Sequence, residues 1–139
     1  MGFTVPNVVE LATLNERLTL PWTLRLFGNN VTITGATLAS AFTEITGGGY
    51  ANKPITLASW TITPAAAAGD SPIAVTATQL WVFTGAIGGT GTIYGYYATR
   101  DSDGTLMLAE RFSAALVPFV PELGSQARVL LRYSVSSQF

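Results

Sequence analysis

The chain contains neither cysteine nor histidine, and only one of its seven basic residues is a lysine, Lys53. Without cysteine there is no disulfide, no thiol nucleophile and no thiolate ligand for a metal. Without histidine the commonest metal ligand and the usual general base of a hydrolytic triad are also missing. We therefore expect a protein that is not an enzyme, with no catalytic residue, no cofactor and no bound metal.

Charged residues are also scarce: they make up 11% of the chain, whereas 48% of the residues are apolar. The formal net charge of −1 argues against nucleic acid as a partner, because binding to phosphates needs a basic surface. No apolar run approaches the roughly 20 residues that cross a bilayer, so a membrane is not expected as a partner. Surface that water does not favour must then be covered by protein, which predicts oligomerisation or docking on a larger assembly.

Length and patterning predict a single domain over residues 1–139, with an N-terminal arm and helix in residues 1–20. Apolar residues at helical spacing predict one short helix between Pro6 and Leu20, and Pro21 ends it. The rest of the chain consists of short alternating segments separated by turn residues. This pattern predicts an all-β fold, namely an antiparallel β-sandwich of about seven strands with one short N-terminal helix.

The strongest local signal is a β-hairpin between Gly91 and Phe112. Two runs rich in β-forming residues flank the turn Asp101–Gly104, whose residue types suit a tight hairpin turn. If these four residues form the loop, Arg100 faces Thr105 and the pairing follows from there along both strands. This hairpin is expected to organise the sheet to which it belongs.

The hairpin also carries the most suggestive polar cluster of the sequence. In the register just given, Tyr94, Tyr96 and Arg111 share one face and Glu110 lies on the other. A glycosidase would need a second carboxylate at a defined separation, and the sequence offers none in a comparable context. We interpret Glu110 and Arg111 as a structural or subunit contact, and we leave the aromatic face open between a buried sheet face and a docking surface.

Three further segments are each predicted as one continuous strand, namely Pro54–Thr63, Ala74–Thr84 and Arg128–Ser136. In the last of them, the odd-numbered residues from Val129 onwards face one side and the even-numbered residues face the other. Gly47–Gly49 is not a phosphate-binding loop, because neither Lys-Ser, Lys-Thr nor a helix follows it. We predict instead a turn or a close approach of two backbones there.

Several fragments, in their order and spacing, resemble a family of small virion structural proteins of tailed bacteriophages, of the capsid auxiliary, decoration or cement type. The fragments are Thr23–Asn30, Phe42–Glu44 with Gly49–Ala51, Trp60, Ile93–Tyr97 and Leu108–Phe112. The resemblance implies a protein on the capsid surface of the virion, assembled in the host cytoplasm. Such proteins commonly sit on the lattice of the major capsid protein as homo-oligomers, either dimers or trimers, and bridge neighbouring capsomers.

The residues expected to make contacts lie at the chain ends and in the hairpin: Phe3, Pro6, Tyr94, Tyr96, Glu110, Arg111 and Phe139. The main alternative is a tail-associated or receptor-binding module that binds a glycan. Its distinguishing feature would be an exposed aromatic groove around Tyr94, Tyr96 and Trp81. A lytic or depolymerising enzyme would instead show two buried carboxylates that converge in one cleft.

Overall fold

A computed structural model describes residues 7–66, 70–112 and 119–134 of the chain. Within these ranges the fold is all-β and sandwich-like, with a single helix and nine strands in antiparallel sheets. The helix α1 spans Asn7–Thr19, and the strands are β1 Trp22–Phe27, β2 Lys53–Ile55, β3 Trp60–Thr63, β4 Ile73–Thr76, β5 Gln79–Val82, β6 Gly95–Arg100, β7 Leu106–Arg111, β8 Gln126–Val129 and β9 Arg132–Ser134. The predicted fold class is thus confirmed.

The strands form three sheets. Four strands pair in the order β2-β1-β6-β7, three pair in the order β3-β4-β9, and β5 pairs with β8 alone. We refer to the two-stranded sheet of β5 and β8 as the ribbon. Because β4 leads directly into β5 and β8 into β9, the ribbon extends two strands of the three-stranded sheet.

The predicted N-terminal helix is confirmed. Leu14 and Leu18 lie four residues apart on the inner face of α1 and are completely buried in the main core. The helix ends before Pro21, which cannot continue it. Near its C-terminal end, Arg17 donates a hydrogen bond of 3.0 Å to the hydroxyl of Tyr133 in β9, so that the last turn is tied to the three-stranded sheet.

The prediction of one strand over Pro54–Thr63 is wrong, because a 3₁₀ turn at Leu57–Ser59 interrupts it. The backbone N–H of Thr56 donates to the Ser59 hydroxyl at 3.0 Å, and the Ser59 N–H donates back to the Thr56 carbonyl at 2.9 Å. These hydrogen bonds satisfy the groups that a continuous strand would have paired across the sheet. The chain crosses here from β2 in the four-stranded sheet to β3 in the three-stranded sheet.

The prediction of one strand over Ala74–Thr84 is also wrong, since a bulge at Ala77 and Thr78 separates β4 from β5. Thr76 pairs with Leu131 through two hydrogen bonds of 3.0 and 3.2 Å, and the next pair is Gln79 with Val129. Between these two pairs the chain advances three residues on one strand, from Thr76 to Gln79, but only two on the other, from Leu131 to Val129. The extra residue reverses which side chains face inward, so that Thr76 is buried in β4 and Trp81 in β5.

The strand opposite the bulge keeps its alternation. Val129 and Leu131 are buried whereas Arg128 and Leu130 are exposed, which confirms the predicted faces for the described part of that segment. The prediction of one continuous strand over Arg128–Ser136 is nevertheless wrong, because Leu130 and Leu131 separate β8 from β9 opposite the bulge, where the pairing of the two strands is interrupted. Residues 135 and 136 of that segment lie outside the described ranges. The bulge therefore reverses the inward and outward side chains only in the segment that contains it, and not in the opposite segment.

The hairpin is confirmed, although its register shifts by one residue. Arg100 pairs with Thr105 through a hydrogen bond of 2.9 Å, and a bulge then leaves Met107 without a partner across the hairpin. Beyond the bulge Tyr96 lies opposite Glu110. The expected face shared by Tyr96 and Arg111 is therefore wrong, because a one-residue slip moves every later side chain to the other face.

The buried side chains form two clusters on opposite faces of the four-stranded sheet. The main cluster draws on α1 and all three sheets and is centred on Trp22, which packs edge-on against the rings of Trp60 and Tyr133 at 5.3 and 5.2 Å. The second cluster consists of Phe27, Phe42 and Tyr97. Apolar side chains therefore cover the four-stranded sheet on both faces.

The triple glycine confirms a close approach of two backbones. All three residues have positive φ, and a Cβ at Gly48 would lie 2.8 Å from the carbonyl oxygen of Gly85. The Thr84 N–H donates to the Gly48 carbonyl at 2.9 Å. Only glycine permits both the conformation and the contact.

Candidate interaction surface

Tyr96 and Glu110 contact each other across the hairpin. The Tyr96 hydroxyl donates a hydrogen bond of 2.6 Å to Oε2 of Glu110. Burial, and then this hydrogen bond, raise the pKa of Tyr96 well above its ordinary value. The tyrosine thus stays a neutral donor at physiological pH, and Glu110 has a partner within the chain.

Arg111 is also engaged within the chain. Its guanidinium donates to Oδ1 of Asn30 and, at 2.9 Å, to the carbonyl oxygen of Val31, and it lies 5.5 Å from the centre of the Tyr94 ring. These contacts tie the loop after β1 to the end of β7. An intermolecular role of the hairpin residues stays a prediction, as does that of Phe3, Pro6 and Phe139, which lie outside the described ranges.

A polar cluster around Glu44 lies over β1 of the four-stranded sheet. Glu44 Oε1 forms an ion pair of 2.6 Å with Arg25, while its Oε2 accepts hydrogen bonds from Tyr50 at 2.7 Å and Asn52 at 3.2 Å. The Tyr50 hydroxyl in turn accepts a hydrogen bond from the Leu26 N–H at 3.2 Å. Both carboxylate oxygens are therefore engaged, and the cluster connects the chain around Glu44 to β1.

Sequence reasoning missed this cluster, although three of its members lie in fragments that carry the family resemblance. Those fragments contain Arg25, Glu44 and Tyr50 respectively. Burial, and then the hydrogen bond to Glu44, raise the pKa of Tyr50 strongly. A chain pattern cannot show that residues this far apart in sequence meet, so spacing alone offered no signal.

The aromatic groove expected of a glycan-binding module does not form among the described residues. Trp81 is only 4% exposed, and its indole N–H donates to the carbonyl oxygen of Ala51 at 2.7 Å. Tyr94 packs on the second cluster and Tyr96 on the main cluster, on opposite faces of the sheet. The three rings therefore do not share one surface.

Glu10 and Glu44 lie in different environments within the described ranges. Glu10 is 1% exposed, and its carboxylate has no hydrogen-bond partner in the part of the chain that the structure describes. It lies one turn before Leu14 on the inner face of α1, whereas Glu44 belongs to the satisfied cluster over β1. Among the described residues, no group of three or more acidic side chains is placed to hold a metal ion.

The outer face of the ribbon is apolar and open. Leu80, Val82 and Leu130 are 41%, 51% and 51% exposed. The side chains next to them in sequence point inward and are buried, namely Trp81, Phe83, Val129 and Leu131. Large apolar side chains thus alternate between the core and solvent along β5, whereas β8 turns Gln126 and Arg128 outward and is followed by the exposed Leu130.

Two polar side chains complete this face. Arg128 lies across from Leu80, and Gln126 lies across from Val82. The Arg128 guanidinium donates a hydrogen bond of 2.9 Å to the Gln126 amide oxygen, and these two side chains form the outward face of β8. We call Leu80, Val82, Gln126, Arg128 and Leu130 together the outer ribbon face.

The turn that precedes β8 carries further exposed groups. Glu122 and Leu123 are both exposed, and the Ser125 N–H donates to the Glu122 carbonyl at 3.0 Å to close the turn. The turn adjoins the end of β5, because Phe83 bonds to Ser125 at 2.8 Å. An acidic residue therefore lies in the turn beyond one end of the outer ribbon face, while Arg128 lies within the face, across from Leu80.

No family model, curated protein or solved structure matches this chain. The helix of the described residues is too short to span a membrane. The outer ribbon face carries three exposed large apolar side chains, whereas Glu110, Arg111 and Glu44 all have partners within the chain. We take it as the candidate interaction surface.

Proposed function

We propose that this protein is a structural component of a bacteriophage virion that decorates or cements the capsid through protein–protein contacts. The observation that carries the proposal is the outer ribbon face, where Leu80 and Val82 of β5 are exposed, as is Leu130 directly after β8. Contiguous apolar side chains on an ordered surface are characteristic of a docking site. The ordered fragments that resemble the phage family supply the identity of the assembly.

The rest of the molecule suits a structural role. The aromatic rings of Phe27, Phe42 and Tyr97 and the hydrogen-bonded carboxylate of Glu44 cover the far face of the four-stranded sheet. A scaffold that is closed on one side and apolar on another presents a defined surface to its partner without reorganising. Repetition over a capsid lattice strengthens each modest contact, because many copies are held in place at once.

The test is the position of the protein in the particle. Cryo-electron microscopy of purified virions should place the protein on the head, in contact with the major capsid protein. Finding it only on the tail would overturn the capsid assignment, and finding it in no particle would overturn the virion assignment.

The contribution of the outer ribbon face is tested by particle binding. We expect Val82→Glu to reduce the occupancy of particles that lack the native protein, because an uncompensated carboxylate would be buried on docking. Leu38→Glu is the matched control, since Leu38 is 69% exposed outside the ribbon. Equal occupancy for both variants would rule out the ribbon as the docking surface.

A further inference from the structure

We propose that the outer ribbon face is part of a larger apolar and basic face that docks on an acidic surface of a different protein. The inference rests on the proposed function, because it names the chemistry of the partner that covers the same surface. It is carried by two outward-facing arginines, Arg128 and Arg132, which form no ion pair among the described residues.

The outer ribbon face continues onto the three-stranded sheet. Between residues 126 and 134 the even-numbered side chains are all exposed, whereas the odd-numbered ones are buried or half-buried. Arg132 therefore points to the same side as Arg128 and Leu130. The side chains of β3, β4 and β9 that share this side are Thr61, Thr63, Ile73, Val75, Arg132 and Ser134. We call them, together with the outer ribbon face, the outer sheet face.

The charge on the outer sheet face is of one sign. The five strands that build it contain no acidic residue, whereas Arg128 and Arg132 stand on either side of the exposed Leu130. Four residues of extended chain separate the two arginines by about 13 Å. The face therefore presents two guanidinium groups with an apolar side chain between them.

These two arginines differ from the other five cations of the chain, which are all engaged by its own side chains. Arg25 and Arg100 form ion pairs with Glu44 and Asp103, Lys53 and Arg111 lie over the rings of Trp81 and Tyr94, and Arg17 donates to the hydroxyl of Tyr133. Arg128 bonds to the neutral amide of Gln126. Asp70 lines a groove together with Arg132 but forms no ion pair with it. Both positive charges are thus left for an external partner.

Carboxylates on a second protein fit this arrangement. A guanidinium binds a carboxylate through two parallel hydrogen bonds, and arginine among apolar side chains is typical of protein interfaces. Nucleic acid and anionic membranes fit less well, because tight binding to either needs more cations than two. The expected partner surface has an apolar centre flanked by two carboxylates about 13 Å apart.

The same charges oppose pairing of the outer sheet face with itself. Two copies stacked on this face would bring four guanidinium groups together, while the strands supply no carboxylate to separate them. The partner is therefore a different surface. Under the proposed function it belongs to the major capsid protein.

Binding to particles that lack the native protein tests the two charges. We expect Arg128→Gln and Arg132→Gln each to raise the dissociation constant about tenfold. Arg17→Gln, which removes an exposed cation from α1, is the matched control and should leave it unchanged. Added salt should weaken binding of the wild type more than that of the double variant, because salt screens ion pairs. Equal melting temperatures verify that the variants are folded.

A synthetic peptide tests the acidic partner without any virion. The probe is a β-hairpin peptide, one strand of which presents Glu, Val and Glu at alternate positions, so that its carboxylates match the spacing of the two arginines. The control peptide has Lys in place of both Glu. In NMR titrations at millimolar concentration, the Glu peptide should shift the amide signals of Val75, Leu80 and Leu130, and the double variant should lose these shifts. Equal shifts from both peptides, or none from either, would overturn the proposal.

The two proposals fail in different ways. If Val82→Glu abolishes particle binding while both arginine variants bind like the wild type, the face docks on the capsid and the acidic partner is wrong. If the Glu peptide binds as expected but cryo-electron microscopy finds no copy in any particle, the acidic partner is correct and the virion assignment is wrong. Binding to phosphatidylglycerol vesicles that the double variant loses would identify a lipid surface and overturn the protein partner.

Discussion

The four-stranded sheet and the ribbon differ in how their faces are covered. The four-stranded sheet packs on the main core with one face, and carries the Phe27, Phe42 and Tyr97 cluster and the Glu44 hydrogen bonds on the other. The ribbon packs on the core with Trp81 and Phe83, while its opposite face exposes Leu80 and Val82 among the described residues. The first sheet is covered on both faces, whereas the second exposes large apolar side chains on its outer face.

Removal of the second cluster should have the largest effect on stability. Phe42 is buried and stacks on the Tyr97 ring at 4.7 Å, so we expect Phe42→Ala to lower the free energy of unfolding by about 3–5 kcal/mol. Urea denaturation measures the change. Leu38→Ala, in the same segment but exposed, is the control and should change it by less than about 0.5 kcal/mol. Similar effects for the two variants would mean that the outer cluster contributes little to the fold.

The pairing of β6 with β7 should be nearly as sensitive. A Cβ at Gly95 would clash with the carbonyl oxygen of Glu110 and would lie 2.8 Å from both Arg111 Cα and a ring carbon of Phe27. We expect Gly95→Ala to cost about 1–3 kcal/mol, because backbone and buried ring must both move. Gly35→Ala, where a Cβ would meet no atom within 4 Å, should be close to neutral. Equal melting temperatures for Gly95→Ala and Gly35→Ala would contradict the close approach of β6 and β7 at Gly95.

Alkaline pH should act on the four-stranded sheet and leave the ribbon face untouched. Burial and contact with a carboxylate raise the folded-state pKa of Tyr50 and Tyr96 above the ordinary value of 10.0. Stability is therefore fully present below pH 10 and is lost as the pH rises from there towards the folded-state pKa, because unfolding releases these protons. The free energy of unfolding, measured by urea denaturation at a series of pH values above 10, should decrease less steeply with pH for Tyr50→Phe than for the wild type. Identical slopes would show that this hydroxyl does not contribute.

The smallest effect is expected on the open face of the ribbon. Val82 and Val129 lie on opposite faces of the same two strands, the first exposed and the second buried. Val129→Thr should cost about 1–3 kcal/mol because it buries a hydroxyl, whereas Val82→Thr should change the stability of the monomer by less than about 0.5 kcal/mol. Both are measured by urea denaturation of the purified protein. A large loss for Val82→Thr would mean that this face is already covered within the monomer.

Local signals in the sequence predicted part of this architecture. The spacing of Leu14 and Leu18 and the turn at Asp101–Gly104 depend on residues close in the chain, and both the helix and the hairpin are confirmed. The bulges at Met107 and at Ala77 and Thr78 were not predicted. A bulge depends on the partner strand, and neither segment contains a glycine or proline to mark it.

The candidate surface depends on the pairing of β5 with β8. Strict alternation along Ala74–Thr84 would place Leu80 and Val82 on one side of their strand, and the prediction for Arg128–Ser136 places Arg128 and Leu130 on one side of theirs. It could not show that the two strands pair with each other, or that no other described element covers their common face. Only the paired register of β5 and β8 brings these residues together as one surface.

By itself, the sequence determined the all-β class, the single N-terminal helix, the hairpin and the close approach at the triple glycine, because propensity, periodicity and the need for positive φ act over a few residues. The tertiary structure decided where strands break, which side chains meet around Glu44 and Tyr96, and which apolar residues stay exposed. These depend on register between segments that are distant in the chain, where a shift of one residue exchanges the buried and the exposed face.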